Sequence, residues 1–270
     1  MIGHLIYTHN KITDAYINQE ISKNLYSKSK VLGSTYLVHC YNGGPKYNYK
    51  KYLEDELIQM DNPGHFLGAA NMIDAGIKAI SQKSQKLGIK YCLVTAADTW
   101  MINLKFLENL IKRMNKEEKY IATCAWFAKF PEKPHTLATD FFIVDLEWNQ
   151  KAKVFPLDYE KFVDKFKDYF YLKWGIPLVE VAFMYNYFSW FGKIHNHDGN
   201  LIWQDADKHL LRIIEREPVH GERKWEKGRG RRQAWPQIGL YTWGDINKKK
   251  ELLKRKKLIL GKYSQQLIGK

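Results

Sequence analysis

Gly64-His65-Phe66-Leu67-Gly68-Ala69-Ala70-Asn71-Met72-Ile73-Asp74-Ala75-Gly76-Ile77, followed by Tyr91-Cys92-Leu93-Val94-Thr95-Ala96-Ala97-Asp98, decides how this chain folds. Phe66, Ala70, Ile73, Ile77 and Ile80 recur at helical spacing, which predicts an amphipathic helix over Phe66–Leu87. Gly88 is placed to close it as a C-cap. The small residues at its start permit a close approach of backbone to a ligand or a sheet. Lys90–Ala97 is then an apolar, strand-length run that ends in a carboxylate, Asp98.

The same alternation extends in both directions. Ile2–Thr8, Val31–Cys40 and Leu57–Asp61 read as strands, and Ile12–Leu25 as a helix with Thr13 or Asp14 near its start. Tyr41–Asn48 carries an Asn-Gly-Gly-Pro loop signal, and Asn62-Pro63-Gly64 stops the third strand. Downstream, Leu104–Met114 reads as a helix, and Tyr120–Phe127 and Phe141–Leu146 as strands. Strands separated by helices of this length imply an α/β fold, a mostly parallel sheet with helices on both faces. Such sheets bind ligands beyond the carboxyl ends of their strands. Thr8-His9-Asn10, Cys40-Tyr41-Asn42, Asp61-Asn62 and Ala97-Asp98-Thr99 should therefore share one rim. Beyond residue 150 the alternation weakens. Phe155–Phe170 and Pro177–Phe191 are expected to be helical, Gly221–Arg232 a loop, and Leu252–Leu260 a short basic helix.

Composition narrows the class. At 270 residues, 45% hydrophobic and 27% charged, the chain is neither disordered nor a disulfide scaffold. Cys40, Cys92 and Cys124 lie in apolar runs without CxxC spacing and read as reduced core residues. The opening strand leaves no signal peptide, and the longest apolar stretch, Val181–Gly192, is too short to span a bilayer. A cytoplasmic protein is expected, at most peripheral on a membrane. The net charge of +14 is uneven: residues 208–270 hold 18 Lys and Arg against 6 Asp and Glu. That basic extension is either a solvated surface or a contact for a phosphate-rich partner such as an anionic membrane. Nucleic acid is disfavoured, because its basic residues do not alternate with aromatics.

Asp98 is the sharpest chemical feature. A carboxylate at the mouth of a buried strand needs a partner. A divalent cation bridging to a diphosphate is one, since hard cations take carboxylate and phosphate oxygens. N-capping of the next helix is the other.

The order strand, helix, strand, Gly-rich loop, long helix, strand ending in Asp resembles the nucleotide-sugar half of family 2-like glycosyltransferases with the GT-A fold. Gly64, Gly68, Asn71, Gly76-Ile77 and Asp98 carry the resemblance, over roughly residues 1–200. The first acid of the family's Asp-x-Asp pattern is Ala96 here, and the second strand ends in His39-Cys40-Tyr41-Asn42 without an acid. The resemblance implies a catalytic domain over 1–207, with a nucleotide-sugar half (1–115) and an acceptor half (116–207), followed by the extension 208–270. It also implies transfer of a sugar from a nucleotide-diphosphate donor to an acceptor hydroxyl on a glycan or lipid-linked molecule, with inversion.

Roles follow from the same resemblance. Thr8, His9 and Asn10 would line the nucleotide pocket, Tyr41 would stack on the base, and His65 and Asn71 would face the nucleotide or its phosphates. Asp98 would hold Mg²⁺ or Mn²⁺ on the diphosphate, with His197 or His220 as further metal ligands and Arg223 closing over the phosphates. Glu180, at a helix head among apolar residues, is the first candidate for general base; its other reading is an ordinary helix-start acid. Asp140, opening an apolar strand, is the second catalytic candidate, in contact with the sugar or acceptor; its other reading is pairing with a neighbouring Arg or capping a turn. A nucleotidyltransferase on a similar sheet is the alternative, although Thr8–Lys23 lacks the glycines its phosphate loop would need. A non-catalytic phosphate- or nucleic-acid-binding protein is another.

Overall fold

Alternate residues of β4 (Tyr91–Ala96) enter two different hydrophobic clusters: Cys92 and Val94 lie in one, Tyr91 and Leu93 in the other. A strand buried on both faces needs a layer of structure on each side. The computed structural model describes residues 1–126, 136–165, 179–190, 209–216, 234–235, 237–242 and 246–269.

Within them the elements run β1 (Ile2–Thr8), α1 (Ile12–Glu20), β2 (Thr35–Tyr41), β3 (Glu56–Gln59), α2 (His65–Leu87), β4, β5 (Thr99–Met101) and α3 (Leu104–Lys116). They continue with β6 (Ile121–Trp126), β7 (Thr136–Asp145), α4 (Leu146–Ala152), α5 (Val179–Trp190) and β8 (Leu210–Arg216). The last are β9 (Ala234–Trp235), β10 (Leu240–Thr242), α6 (Ile246–Lys256) and α7 (Lys262–Ile268). Seven strands form a sheet in the order β3-β2-β1-β4-β7-β6-β8. β7 runs antiparallel to both neighbours and the remaining pairs are parallel. This is the mixed, mostly parallel α/β sheet expected from the sequence.

The two faces are covered as the alternation requires. Ile73, Ile77 and Ile80 of α2 and Phe183 of α5 pack with Leu5, Val38, Val94 and Phe142. Ile17 of α1 and Leu107, Leu110 and Ile111 of α3 pack with Leu93, Ala122, Phe141 and Ile143. Gly76 lets α2 sit close on the sheet: a Cβ there would come within 2.2 Å of Leu5 Cδ1. Gly88 ends α2 at φ 64°, ψ 37°, the left-handed conformation that glycine adopts at no steric cost. The three cysteines are buried, and among the described residues none forms a disulfide.

Several boundaries differ from expectation. α1 ends at Glu20 and passes into a wider turn over Ile21–Leu25. β7 begins at Thr136, ahead of Phe141, and α6 spans Ile246–Lys256, starting and ending earlier than the expected Leu252–Leu260. Asp98 does not cap the following helix, α3. It lies in the turn between β4 and β5, and Asn103 caps α3 by accepting the Phe106 N–H at 3.1 Å.

The described parts of residues 208–270 pack into the body. β8 is the edge strand of the main sheet, and β10 pairs antiparallel with β5 and β9. α7 starts on Glu20 of α1, whose carboxylate accepts the N–H groups of Tyr263 (2.6 Å) and Ser264 (2.9 Å). Among the described residues no helix is long and apolar enough to cross a membrane.

Candidate functional site

Parallel pairing brings the ends of β1, β2 and β4 to one rim. Tyr7 is opposite Cys40 on one side and Ala96 on the other, and Thr8 is opposite Tyr41. Beyond the strand ends lies a cavity of about 250 Å³. Thr8, His9, Asn10, His65 and Asp98, all expected from the sequence, line it together with Lys11, Asn42 and Asn62. Thr8 is 2% exposed, and its hydroxyl oxygen is buried with no hydrogen-bond partner among the described residues. His9 Nδ1 is 3.2 Å from Asn42 Oδ1, which anchors the loop after β1 to the end of β2. Gly68 makes room behind this pair, since a Cβ there would lie 2.5 Å from Asn42 Nδ2 and 3.0 Å from Asn62 Oδ1.

The cavity wall includes the first residue of α2, a helix of 23 residues whose N-cap position, Gly64, has no side chain to cap it. The first N–H groups of a helix lack intrahelical acceptors and attract anions. With Lys11 alongside, the wall combines oriented donors and a cation.

Asp98 is half-buried in a turn gripped from below. Asn18 of α1 directs Nδ2 at Thr95 Oγ1 (3.1 Å) and at the carbonyls of Ala96 (3.3 Å), Ala97 (3.4 Å) and Thr99 (3.0 Å). His4 Nε2 meets the same Thr95 hydroxyl at 3.0 Å, and burial pulls His4 down to about 3, so its ring is neutral. Lys249 Nζ contacts the Asp98 carbonyl from the C-terminal side.

Tyr7 ties the other acids to this rim. Its hydroxyl donates to the Thr139 carbonyl at 3.3 Å. Burial first, then the charges of Asp140 and Glu180 and more weakly Asp98, push it well above the ordinary tyrosine range. Three carboxylates from β7, α5 and the β4–β5 turn therefore act on one hydroxyl. The antiparallel entry of β7 explains Asp140: Phe141 is opposite Thr95, so the residue before it reaches the rim where β4 leaves. Glu180 and Asp140 are both half-buried.

Tyr41 and Asn71 line a neighbouring cavity of about 870 Å³ with Tyr49, Gln59, Asp61 and Pro63. Tyr41 is 4% exposed; its hydroxyl donates to the Gly44 carbonyl at 2.6 Å and its ring leans on Tyr49, centroids 5.1 Å apart. Little of its face remains for stacking.

His197, His220 and Arg223 lie outside the described residues. Among the described residues no three His, Cys, Asp or Glu side chains are grouped to hold a metal ion. Among the described residues Asp98 is the acid that lines the small cavity.

Tyr7, Lys11, Asn18 and Lys249 were not singled out by sequence reasoning. Tyr7 and Lys11 flank the rim set Thr8-His9-Asn10 and were within reach of that rule. Asn18 and Lys249 are visible only once α1 and α6 are docked.

No family model matches the sequence, and no curated protein matches it. Solved structures with a similar arrangement include S. aureus TarS (1–349), at 10% identity and TM-score 0.37, covering 57% of this chain and 50% of that one. A197 from STIV is 9% identical with TM-score 0.32, covering 56% and 68%. A cytidylyltransferase from Leptospira borgpetersenii serovar Hardjo-bovis is 14% identical with TM-score 0.32, covering 62% and 71%. The chain thus spans half the length of the TarS structure. At these scores the likeness carries no functional inference.

Proposed function

We propose that this chain is a glycosyltransferase that moves a sugar from a nucleotide-diphosphate donor to an acceptor hydroxyl, with inversion. The observation that supports it most is the polar cavity at the carboxyl rim of a parallel sheet, lined by Thr8, His9, Asn10, Lys11, His65 and Asp98, with the charges of Asp140 and Glu180 acting on Tyr7 in its wall.

In this reading the donor's diphosphate lies against the N-terminus of α2, with Lys11 and the buried Thr8 hydroxyl as further donors. Asp98 would hold a divalent cation, Mn²⁺ or Mg²⁺, which would neutralise charge on the leaving diphosphate. Glu180 takes the proton of the acceptor hydroxyl as general base. The acceptor oxygen forms a bond to the anomeric carbon while the bond from that carbon to the diphosphate oxygen breaks. The electron pair leaves with the diphosphate. Asp140 orients the sugar or the acceptor. Tyr7 stays protonated and holds its place by donating to Thr139. Lys254, Arg255, Lys256 and Lys257 are exposed beside Ile259, which is 44% exposed. That surface suits a lipid-linked acceptor on an anionic membrane.

A thermal-shift panel of nucleotide sugars, with and without Mn²⁺, tests the reading, because a ligand that binds only the native state raises the unfolding temperature. At least one nucleotide sugar is expected to stabilise the protein. Glu180→Gln should keep that shift and lose transfer, whereas Asp98→Asn should lose transfer and donor hydrolysis with its fold intact. Full transfer activity in Asp98→Asn would remove Asp98 from the chemistry, and no shift with any donor would remove the transferase reading.

A further inference from the structure

We propose that Lys249, on the C-terminal helix α6, is a positioning residue that holds the Asp98 turn in the shape the donor site requires; this rests on the transferase reading above. Lys249 is fully buried, although exposed basic residues surround it in sequence. Its ammonium donates to Asp14 Oδ1 at 2.6 Å and to the Asp98 carbonyl. It also sits 4.1 Å from the centroid of the Trp100 ring. The Trp100 indole N–H reaches the carbonyls of Ala97 (3.2 Å) and Asp14 (3.3 Å). One side chain thereby binds the start of α1, the turn after β4 and the ring that packs beneath it.

A buried cation is a costly way to fill space. Removing an ammonium from water carries a large penalty, and an apolar side chain of similar volume would stabilise a core as well or better. Burial does act on this pair, raising Asp14 and lowering Lys249 against their mutual attraction. What an apolar side chain lacks is direction. The ammonium's donors fix a backbone carbonyl of the very acid that lines the cavity. The Asp98 charge also acts on both Asp14 and Lys249. Lys11 acts on both members of the pair as well.

The test compares the full chain with Lys249→Met and the double variant Asp14→Asn/Lys249→Met. The single variant strands Asp14 in the interior and should lose stability. The double variant removes both charges and should regain it. Two further readouts separate positioning from packing. In the ligand-free double variant, amide hydrogen exchange over residues 97–101 should stay faster than in the parent chain. Binding of the tightest of the five common nucleoside diphosphates, measured by calorimetry with Mn²⁺, should stay weaker by about tenfold or more, as a displaced ligand group requires. If the double variant regains stability, amide protection and nucleotide affinity together, Lys249 is only a packing residue and the inference is overturned. If the parent chain binds none of the five nucleotides, the transferase reading fails, while the exchange data still decide whether Lys249 holds the turn.

Discussion

The side-chain amide of Asn18 lies 3.0 Å from the carbonyl oxygen of Thr99, 81 residues further along the chain. The same nitrogen faces Thr95 Oγ1 and the carbonyls of Ala96 and Ala97. A helix residue thus satisfies the backbone of a turn whose carbonyls leave the sheet ladder at Ala96. Asn18→Ala should lower the unfolding free energy by about 1–3 kcal/mol, the cost of stranding buried acceptors. Asn18→Asp should cost more, since an ionised carboxylate only accepts hydrogen bonds and would face acceptors. Urea unfolding of the two variants checks the order; an aspartate as stable as the alanine would contradict it.

Glu20 should govern the C-terminal helix. Its buried carboxylate accepts from the N–H groups of Tyr263 and Ser264, and from the Tyr52 hydroxyl at 3.1 Å. Glu20→Ala removes the acceptor at the start of α7 and should cost about 2 kcal/mol. Residues 260–269 should become the first site of limited proteolysis. Glu20→Gln keeps an acceptor oxygen and should lose less.

Asp74 should make stability depend on pH. This α2 carboxylate accepts the N–H groups of Leu157 (2.6 Å) and Asp158 (3.2 Å). Burial nevertheless raises it to about 7 from 3.8, with the Asp158 charge adding to the rise against those two hydrogen bonds. The folded state then holds a proton that the unfolded chain has released. Stability from this group is full below about pH 4 and falls as pH rises toward 7, by at most about 1.4 kcal/mol per pH unit. Asp74→Asn should flatten that part of the curve. Equal slopes for parent and variant between pH 4 and 7 would show that Asp74 does not titrate there.

Two glycines of α2 should separate fold from site. Gly76→Ala places a methyl group 2.2 Å from Leu5 Cδ1 and should destabilise the chain by about 1–3 kcal/mol through overpacking. Gly68→Ala presses on Asn42 and Asn62 at the cavity, so its main effect should be on nucleotide-sugar binding. Melting temperatures and binding isotherms for both variants check the division. A Gly68→Ala protein that binds donors like the parent would detach those asparagines from the site.

Much of the architecture was legible in the chain. Periodicity marked α2 to within one residue at its start, and the Gly88 cap ended it, because a long amphipathic helix repeats its signal over many turns. The rim rule gathered Thr8, His9, Asn10 and Asp98 correctly, since parallel strands end on the same side. The turn after β4 was harder to read. Asp98-Thr99 is compatible with a cap or a hairpin, and only the pairing of β5 with distant Leu240–Thr242 distinguishes them.

By itself, then, the sequence determined what depends on near neighbours: the alternation of strands and helices, the burial of the cysteines, and the acid at the end of β4. Tertiary structure alone decided which distant groups meet there. Lys249 looks like one more solvated base in a run of lysines, yet docking of α6 buries it on Asp14 and the Asp98 turn. The charges of Asp140 and Glu180 act on Tyr7 only because β7 enters the sheet antiparallel and α5 packs over it. Local preference extends over a few residues, whereas burial and charge act through space, so the partners of a buried ion are set by packing and not by its neighbours in the chain.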